Sequence, residues 1–344
     1  MKIVIDNAIP FIKGVFEPYA EVVYREGEAI CHDDLADADA LIIRTRTRCD
    51  EDMLSGSAVK MIATTSIGVN NIDIPFCERN HIKVENASGS VSGAVMNYVL
   101  SSLYASASRR SRSLKDAVFG ILGVGHTGSR VAWAAQKLGF KTMLYDPPRS
   151  KIESQETFWE LDELLPQCDI VTLHLPVNEN TFHMADASFF AKMKPGAIFI
   201  NTAKGDLVNE DDLIEASRKL GPIIIDAWSH EPDINLHLMS VADIATPHIS
   251  GYSYQGKMLS TRLAVRAIAR NFGIDGLANF FPVGEVEVRD PVRLDLSGKT
   301  QGEITALRQY TYPIFTDDFI FRTNPERFVE LRGRYSYRRE FVLE

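Results

Sequence analysis

Short runs of β-branched residues recur along this chain, and their spacing constrains the fold more than any other feature. KIVID, EVVY, ALIIRT, MIATTSI and IKVENA fall within the first 90 residues, separated by amphipathic stretches. AVFGILG, KTMLYD, DIVTLHL, AIFINTA, PIIIDAW and DIATPHI follow between Ala117 and Ile249. Apolar runs that alternate with helical patterns build parallel sheets, because a helical crossover is what returns the chain for the next parallel strand. Helices then cover both faces. Two such series predict two doubly wound α/β domains.

One strand-to-helix junction in the second series carries chemistry. AVFGILG runs into Gly123-Val124-Gly125-His126-Thr127-Gly128, followed by the helical pattern SRVAWAAQKLG. Glycines there let the backbone turn tightly and approach a pyrophosphate, which sits on the N–H groups opening the helix. The next run, KTMLYD, ends at Asp146, placed to bond the adenosine ribose hydroxyls and to repel a 2′-phosphate. The expected cofactor is therefore NAD. Arg149 lies close enough to accept such a phosphate and pulls the other way. His126, inside the loop, is expected in solvent.

Long helices divide the chain. SVSGAVMNYVLSSLYASASRR predicts one helix with Ser90 or Ser92 near its cap, and Tyr252 to Phe272 predicts another. Taken as two crossings, they give a discontinuous substrate domain (1–92 and 256–281), a Rossmann-like NAD-binding domain (93–255) and a small α+β module (282–344). The last module ends in FRTNPERFVELRGRYSYRREFVLE, arginines with aromatics among them, and is expected to serve subunit contact in a homodimer.

Composition narrows the partners. A formal net charge of −9 opposes nucleic acid and anionic membrane, so an anionic substrate needs a local basic cluster. MKIVID begins as a strand with no signal-peptide core, and no apolar run reaches membrane-span length. Cys31, Cys49, Cys77 and Cys168 are widely spaced, which suits a reducing cytoplasm and gives no zinc pattern. No metal site is expected.

Three late strand ends hold the remaining candidates, on the edge where open α/β sheets bind ligands. AIFINTAKGDLVN offers Lys204, PIIIDAWSHEP offers Asp226 and Glu231, and DIATPHISGY offers His248. Oxidising a hydroxy acid needs a base for the hydroxyl proton and a cation for the carboxylate and developing carbonyl. A glutamate bonded to imidazole fixes its tautomer and favours its protonated form, making a proton shuttle. Arg44 and Arg46 in RTRTR alternate, so both would leave one face of a strand. They read either as clamps for a substrate phosphate or as solvated surface arginines. His174 reads as a cofactor neighbour or a packed strand-end residue, and Tyr252 and Tyr254 as site or packing residues.

These segments resemble the D-isomer-specific 2-hydroxyacid dehydrogenase family. The resemblance rests on Asn201-Thr-Ala-Lys-Gly205, Asp226-Ala-Trp-Ser-His-Glu-Pro232 and Pro247-His-Ile-Ser-Gly251, supported by ADADALIIRTRTR, TTSIGVNNID and YDPPR. It implies His248 as proton donor and acceptor, Glu231 as its partner, and Lys204 where the family carries an arginine. It implies cofactor contacts from Asp146, the Thr202-Ala203-Lys204 backbone, Asp226 (orienting the nicotinamide carboxamide) and Gly251. Thr45, Ser66 and Tyr252 match substrate-binding positions. Members of the family in general stop after the second long helix, so the tail is an addition. The expected reaction is NAD-dependent oxidation of a small phosphorylated hydroxy acid. Another 2-hydroxy acid, such as 3-phosphoglycerate, or dinucleotide sensing without turnover are the alternatives.

Overall fold

The computed structural model describes residues 1–153 and 157–344, and the chain divides into two compact units. Met1–Val91 and Tyr254–Asp290 form the first, and Ser92–Ser253 and Pro291–Glu344 the second. The chain passes from one unit to the other three times.

In the first unit, β1 (Lys2–Asp6), β2 (Glu21–Arg25), β3 (Ala40–Ile43), β4 (Met61–Thr64) and β5 (Lys83–Asn86) pair in parallel in the order β2-β1-β3-β4-β5. Alternate residues of β1 and β3 enter opposite cores. Ile3, Ile5, Ala40 and Ile42 pack with Ala264, Val265 and Ile268 of the Tyr254–Phe272 helix. Val4, Leu41 and Ile43 pack with Leu35, Leu54 and Phe76 on the other face. Two-sided burial is why these strands read as unbroken apolar runs.

RTRTR does not continue β3. The strand stops at Ile43, and Asn71 Nδ2 donates to the carbonyls of Arg44 (3.3 Å) and Thr47 (2.6 Å), closing a turn. The expected alternation of Arg44 and Arg46 on one strand face therefore gives way to turn geometry, where period two does not apply.

In the second unit, β6 (Val118–Leu122), β7 (Lys141–Tyr145), β8 (Ile170–Leu173), β9 (Ile198–Asn201), β10 (Ile223–Ile225) and β11 (Ile244–Ala245) form a parallel sheet ordered β11-β10-β9-β8-β6-β7. The order reverses between β6 and β8, and such a reversal opens a crevice at the carboxyl ends of the strands. The Ser92–Arg109 and His126–Lys137 helices belong to this unit. The helix predicted from Tyr252 begins at Tyr254.

Pro291–Glu344 groups with this second unit. It holds helices Gln301–Thr311, Ile314–Thr323 and Phe328–Gly333 and a parallel pair of short strands, β12 (Val292–Leu294) and β13 (Phe341–Leu343). Phe321 and Phe328 are buried in the same cluster as Trp228, Leu238 and Ala245. Edge-to-face rings link them: Trp228 to Phe321 at 6.0 Å and Phe321 to Phe328 at 5.7 Å between centroids. The tail is thereby packed against the loop that follows β10.

Candidate active site

The glycine loop leaves β6 at the reversal of strand order. Gly123 has φ +85°, and a Cβ there would lie 2.7 Å from the His174 carbonyl. A Cβ on Gly128 would meet the Gly123 carbonyl oxygen at 1.8 Å, so both close approaches need glycine. At Gly125, which precedes the His126–Lys137 helix without a side-chain cap, a Cβ would meet open space. His126 is exposed and Thr127 half-buried in the opening turn. The loop thus presents uncapped N–H donors, the arrangement that binds a pyrophosphate.

Asp146 follows β7 and accepts from the backbone N–H of Val124 (2.8 Å) and of Arg149 (3.1 Å). Each carboxylate oxygen has a further lone pair for a ribose hydroxyl. The Arg149 guanidinium is already engaged: Nε and Nη2 each reach Glu153 at 2.7 Å, and Nη1 donates to the Val124 carbonyl at 2.6 Å. A forked pair with an acid leaves it a poor receiver for a 2′-phosphate, which removes the objection to NAD. Thr202 Oγ1, after β9, is buried without a hydrogen-bond partner. These features fit a dinucleotide.

The His248 loop follows β11. His248 has φ +55°, a conformation that side chains rarely adopt. Asp226, after β10, supplies the restraint. It is 0% exposed; Oδ1 accepts from Thr246 Oγ1 (2.6 Å) and Ile249 N (2.8 Å), and Oδ2 from Ser250 N (2.9 Å). Thr246 Oγ1 also meets the Tyr98 hydroxyl at 2.6 Å. Through these bonds Asp226, expected from the sequence to orient the nicotinamide carboxamide, also shapes the loop that carries His248.

Glu231 lies on the loop after β10. Both its oxygens are 2.8 Å from His248 Nδ1, and Oε1 also accepts from Trp228 N at 3.1 Å. Burial pushes the Glu231 carboxyl up, but it is outweighed by the His248 hydrogen bond and charge, the Trp228 N–H and the Arg332 guanidinium, which hold it below the usual range. A bond at Nδ1 sets the tautomer and leaves Nε2 to a reactant. Among the described residues nothing bonds Nε2.

Lys204 follows β9 in extended conformation with an exposed side chain. Asn201 Nδ2 bonds its carbonyl at 2.9 Å, and Asn201 Oδ1 accepts from Ala203 N at 3.1 Å, fixing this turn. A Cβ on the next residue, Gly205, would lie 1.9 Å from the Trp228 carbonyl carbon, so glycine lets the Lys204 and Glu231 loops lie together. Among the described residues no acid pairs with the Lys204 ammonium.

Tyr252 follows Gly251 on the His248 loop and lies against Tyr335 (6.0 Å) and Tyr337 (6.2 Å) of the tail. The other substrate candidates lie in the first unit. Arg44 holds the fully buried Asp6 through Nε (2.8 Å) and Nη2 (3.3 Å), and Arg46 pairs with Glu28 at 3.1 Å on the surface. Thr45 is exposed, and Ser66, half-buried after β4, donates its N–H to Thr64 Oγ1 at 3.2 Å. His174 Nε2 meets Thr172 Oγ1 at 3.2 Å. Sequence reasoning missed Thr246 and Tyr98 behind Asp226, and Arg332 beside Glu231; only the run of arginines in the tail hinted at the last. Among the described residues no cluster suits a metal ion, and no helix is long and apolar enough to cross a membrane.

Residues 94–250 match the family described as D-isomer specific 2-hydroxyacid dehydrogenase, NAD binding domain. The chain is 40% identical to an erythronate-4-phosphate dehydrogenase of Bacteroides fragilis, over 99% of this chain and 97% of the relative. It is 34% identical to that of Porphyromonas gingivalis, over 99% and 94%. Among solved structures, NAD+-bound 3-phosphoglycerate dehydrogenase of Entamoeba histolytica superposes with TM-score 0.66 at 27% identity, covering 83% of this chain and 99% of that one. Roughly a sixth of this chain thus has no counterpart there. The NAD cradle, the paired glutamate and histidine, and full-length relatives agree: the chain belongs to the NAD-dependent D-isomer-specific 2-hydroxyacid dehydrogenases, on their erythronate-4-phosphate dehydrogenase branch.

Proposed function

We propose that this enzyme oxidises the C2 hydroxyl of 4-phospho-D-erythronate to the 2-oxo acid, 3-hydroxy-2-oxo-4-phosphooxybutanoate. One observation carries the assignment of roles: Glu231 grips His248 Nδ1 at 2.8 Å and leaves Nε2 free. NAD, when bound, takes up the C2 hydride. His248 Nε2 removes the hydroxyl proton as the carbonyl forms, and Glu231 balances the imidazolium charge. Lys204 supplies positive charge to the substrate carboxylate and the developing carbonyl. As an ammonium it acts as a point charge where the family's arginine would offer a planar fork. Gly123, Gly125, Thr127 and Gly128 receive the pyrophosphate, Asp146 the ribose, and the Thr202–Lys204 backbone with Gly251 the nicotinamide end.

On this reading the first unit serves the substrate, through Thr45, Ser66 and the Arg44 turn, and the second serves NAD. Tyr310, Phe319, Ile320 and Val329 expose apolar surface on the tail, which supports a homodimer formed through it. The net charge and the class of reaction support a cytoplasmic setting with a small-molecule substrate. Mixing the purified protein with NAD and 4-phospho-D-erythronate and following NADH absorbance tests the function. Absence of NADH at high enzyme concentration overturns it. A parallel series with 3-phosphoglycerate, ranked by kcat/KM, separates the two substrates, and sensing without turnover predicts NAD binding with no reaction on either.

A further inference from the structure

The tail reaches the acid that holds the proposed base. Arg332 lies in the last turn of the Phe328–Gly333 helix, and its Nη1 is 3.8 Å from Glu231 Oε2. Its Nε is buried and has no hydrogen-bond partner. That helix is held firmly. Phe328 is 2% exposed and meets Phe321 edge to face, and Phe321 meets Trp228 in the same way. Trp228 is the residue whose N–H donates to Glu231 at 3.1 Å, and its indole Nε1 donates to the Thr246 carbonyl at 2.9 Å. One edge-to-face aromatic cluster thus fixes both the helix carrying Arg332 and the loop carrying Glu231.

We propose that Arg332 is a positioning residue: it holds the Glu231 carboxylate against His248 Nδ1 and so aims Nε2 at the substrate. The inference rests on the reading of His248 as proton acceptor. A carboxylate bonded on one side to imidazole retains lone pairs on the other, and a guanidinium placed there restricts its rotation. Of the charged groups that hold the Glu231 carboxyl down, His248 acts most strongly, and Arg332 adds to it. At 3.8 Å the pair is looser than a hydrogen bond, and active-site contacts of this kind commonly tighten when substrate binds. The Arg332 side chain is 35% exposed, so solvent screens the pair and the expected effect is moderate.

The test compares wild type with Arg332→Gln and Arg332→Lys. Arg332→Gln should lower kcat about tenfold while KM for 4-phospho-D-erythronate stays within about twofold, and Arg332→Lys should recover part of the loss. Independently of any substrate, a carbon-13 NMR titration of the Glu231 carboxyl should move to higher pH in Arg332→Gln, because a nearby cation has been lost. Unchanged NAD affinity confirms that the variants fold. An unmoved carboxyl titration, an unchanged kcat, or a loss confined to KM would each overturn the inference, the last by making Arg332 a substrate-binding group. If wild type leaves 4-phospho-D-erythronate untouched, the proposed substrate fails, while the titration still decides whether Arg332 acts on Glu231.

Discussion

In the first unit the strand order turns between β1 and β3, and in the second between β6 and β8; the two turning points are filled in opposite ways. At the first, Arg44 after β3 lies in a forked pair with the buried Asp6 that ends β1, and Asp6 Oδ1 also accepts from Ala8 N at 3.0 Å. At the second, glycines leave the N–H groups of a helix open, and β9 and β11 of the same sheet lead into Lys204 and His248. Both edges were equally eligible for ligands by topology. A cation already matched to a buried acid stabilises the fold; a cation or base left without a competing partner is available for chemistry. Arg44 has its charge largely spent on Asp6.

The sharpest way to break this contrast is at His248. His248→Ala should lower kcat/KM by about a hundredfold or more, the usual size of general acid–base catalysis, with NAD affinity by fluorescence unchanged. A rate within tenfold of wild type would remove the second edge from the chemistry. Next comes Lys204. Lys204→Ala should cost about ten- to a hundredfold, as loss of a charge aimed at a developing oxyanion does, whereas Lys204→Arg keeps the charge and should keep most of the rate. Equal losses in both would mean that the ammonium's exact reach, rather than its charge, is what the site uses.

Arg44→Ala should act mainly on stability. It strands a buried carboxylate, and with Arg44 itself 34% exposed the cost is about 1–3 kcal/mol, read as a fall of several degrees in the melting temperature. An unchanged melt with a raised KM for the phosphorylated substrate would turn Arg44 into a ligand group and erase the difference between the two edges. Glu231→Gln gives a smaller, pH-dependent effect. The Glu231 carboxyl is held below its usual range, so the stability it contributes is present above the unfolded carboxylate value of about 4.3 and is lost as pH falls through the folded one. The melting-temperature gap between wild type and Glu231→Gln should therefore be widest near neutrality and close in acid. A gap that widens in acid would reverse the assigned direction. Smallest of all, Arg46→Ala should shift stability by no more than about 0.5 kcal/mol, because its pair with Glu28 is solvent-exposed.

Much of this molecule was legible along the chain. Strand runs such as ALII and IFIN are apolar on both faces because helices cover both, so their pattern announced parallel sheets. The glycine loop was legible because its requirement is local: Gly123 and Gly128 answer to backbone within a few residues or on the adjacent strand. The strand-end residues Lys204, Glu231 and His248 could be found because topology sends strand ends to one edge. What sequence alone could not decide was partnership. Whether Arg149 faces a phosphate or Glu153, whether Arg44 faces a ligand or Asp6, and whether Asp226 shapes the His248 loop depend on which group each meets in three dimensions. Electrostatic neighbours 38 residues apart, as Arg44 and Asp6 are, leave no periodicity to read. Nor did the tail's arginines single out the one beside Glu231, because the packing of Trp228, Phe321 and Phe328 that brings Arg332 there exists only once the chain has folded.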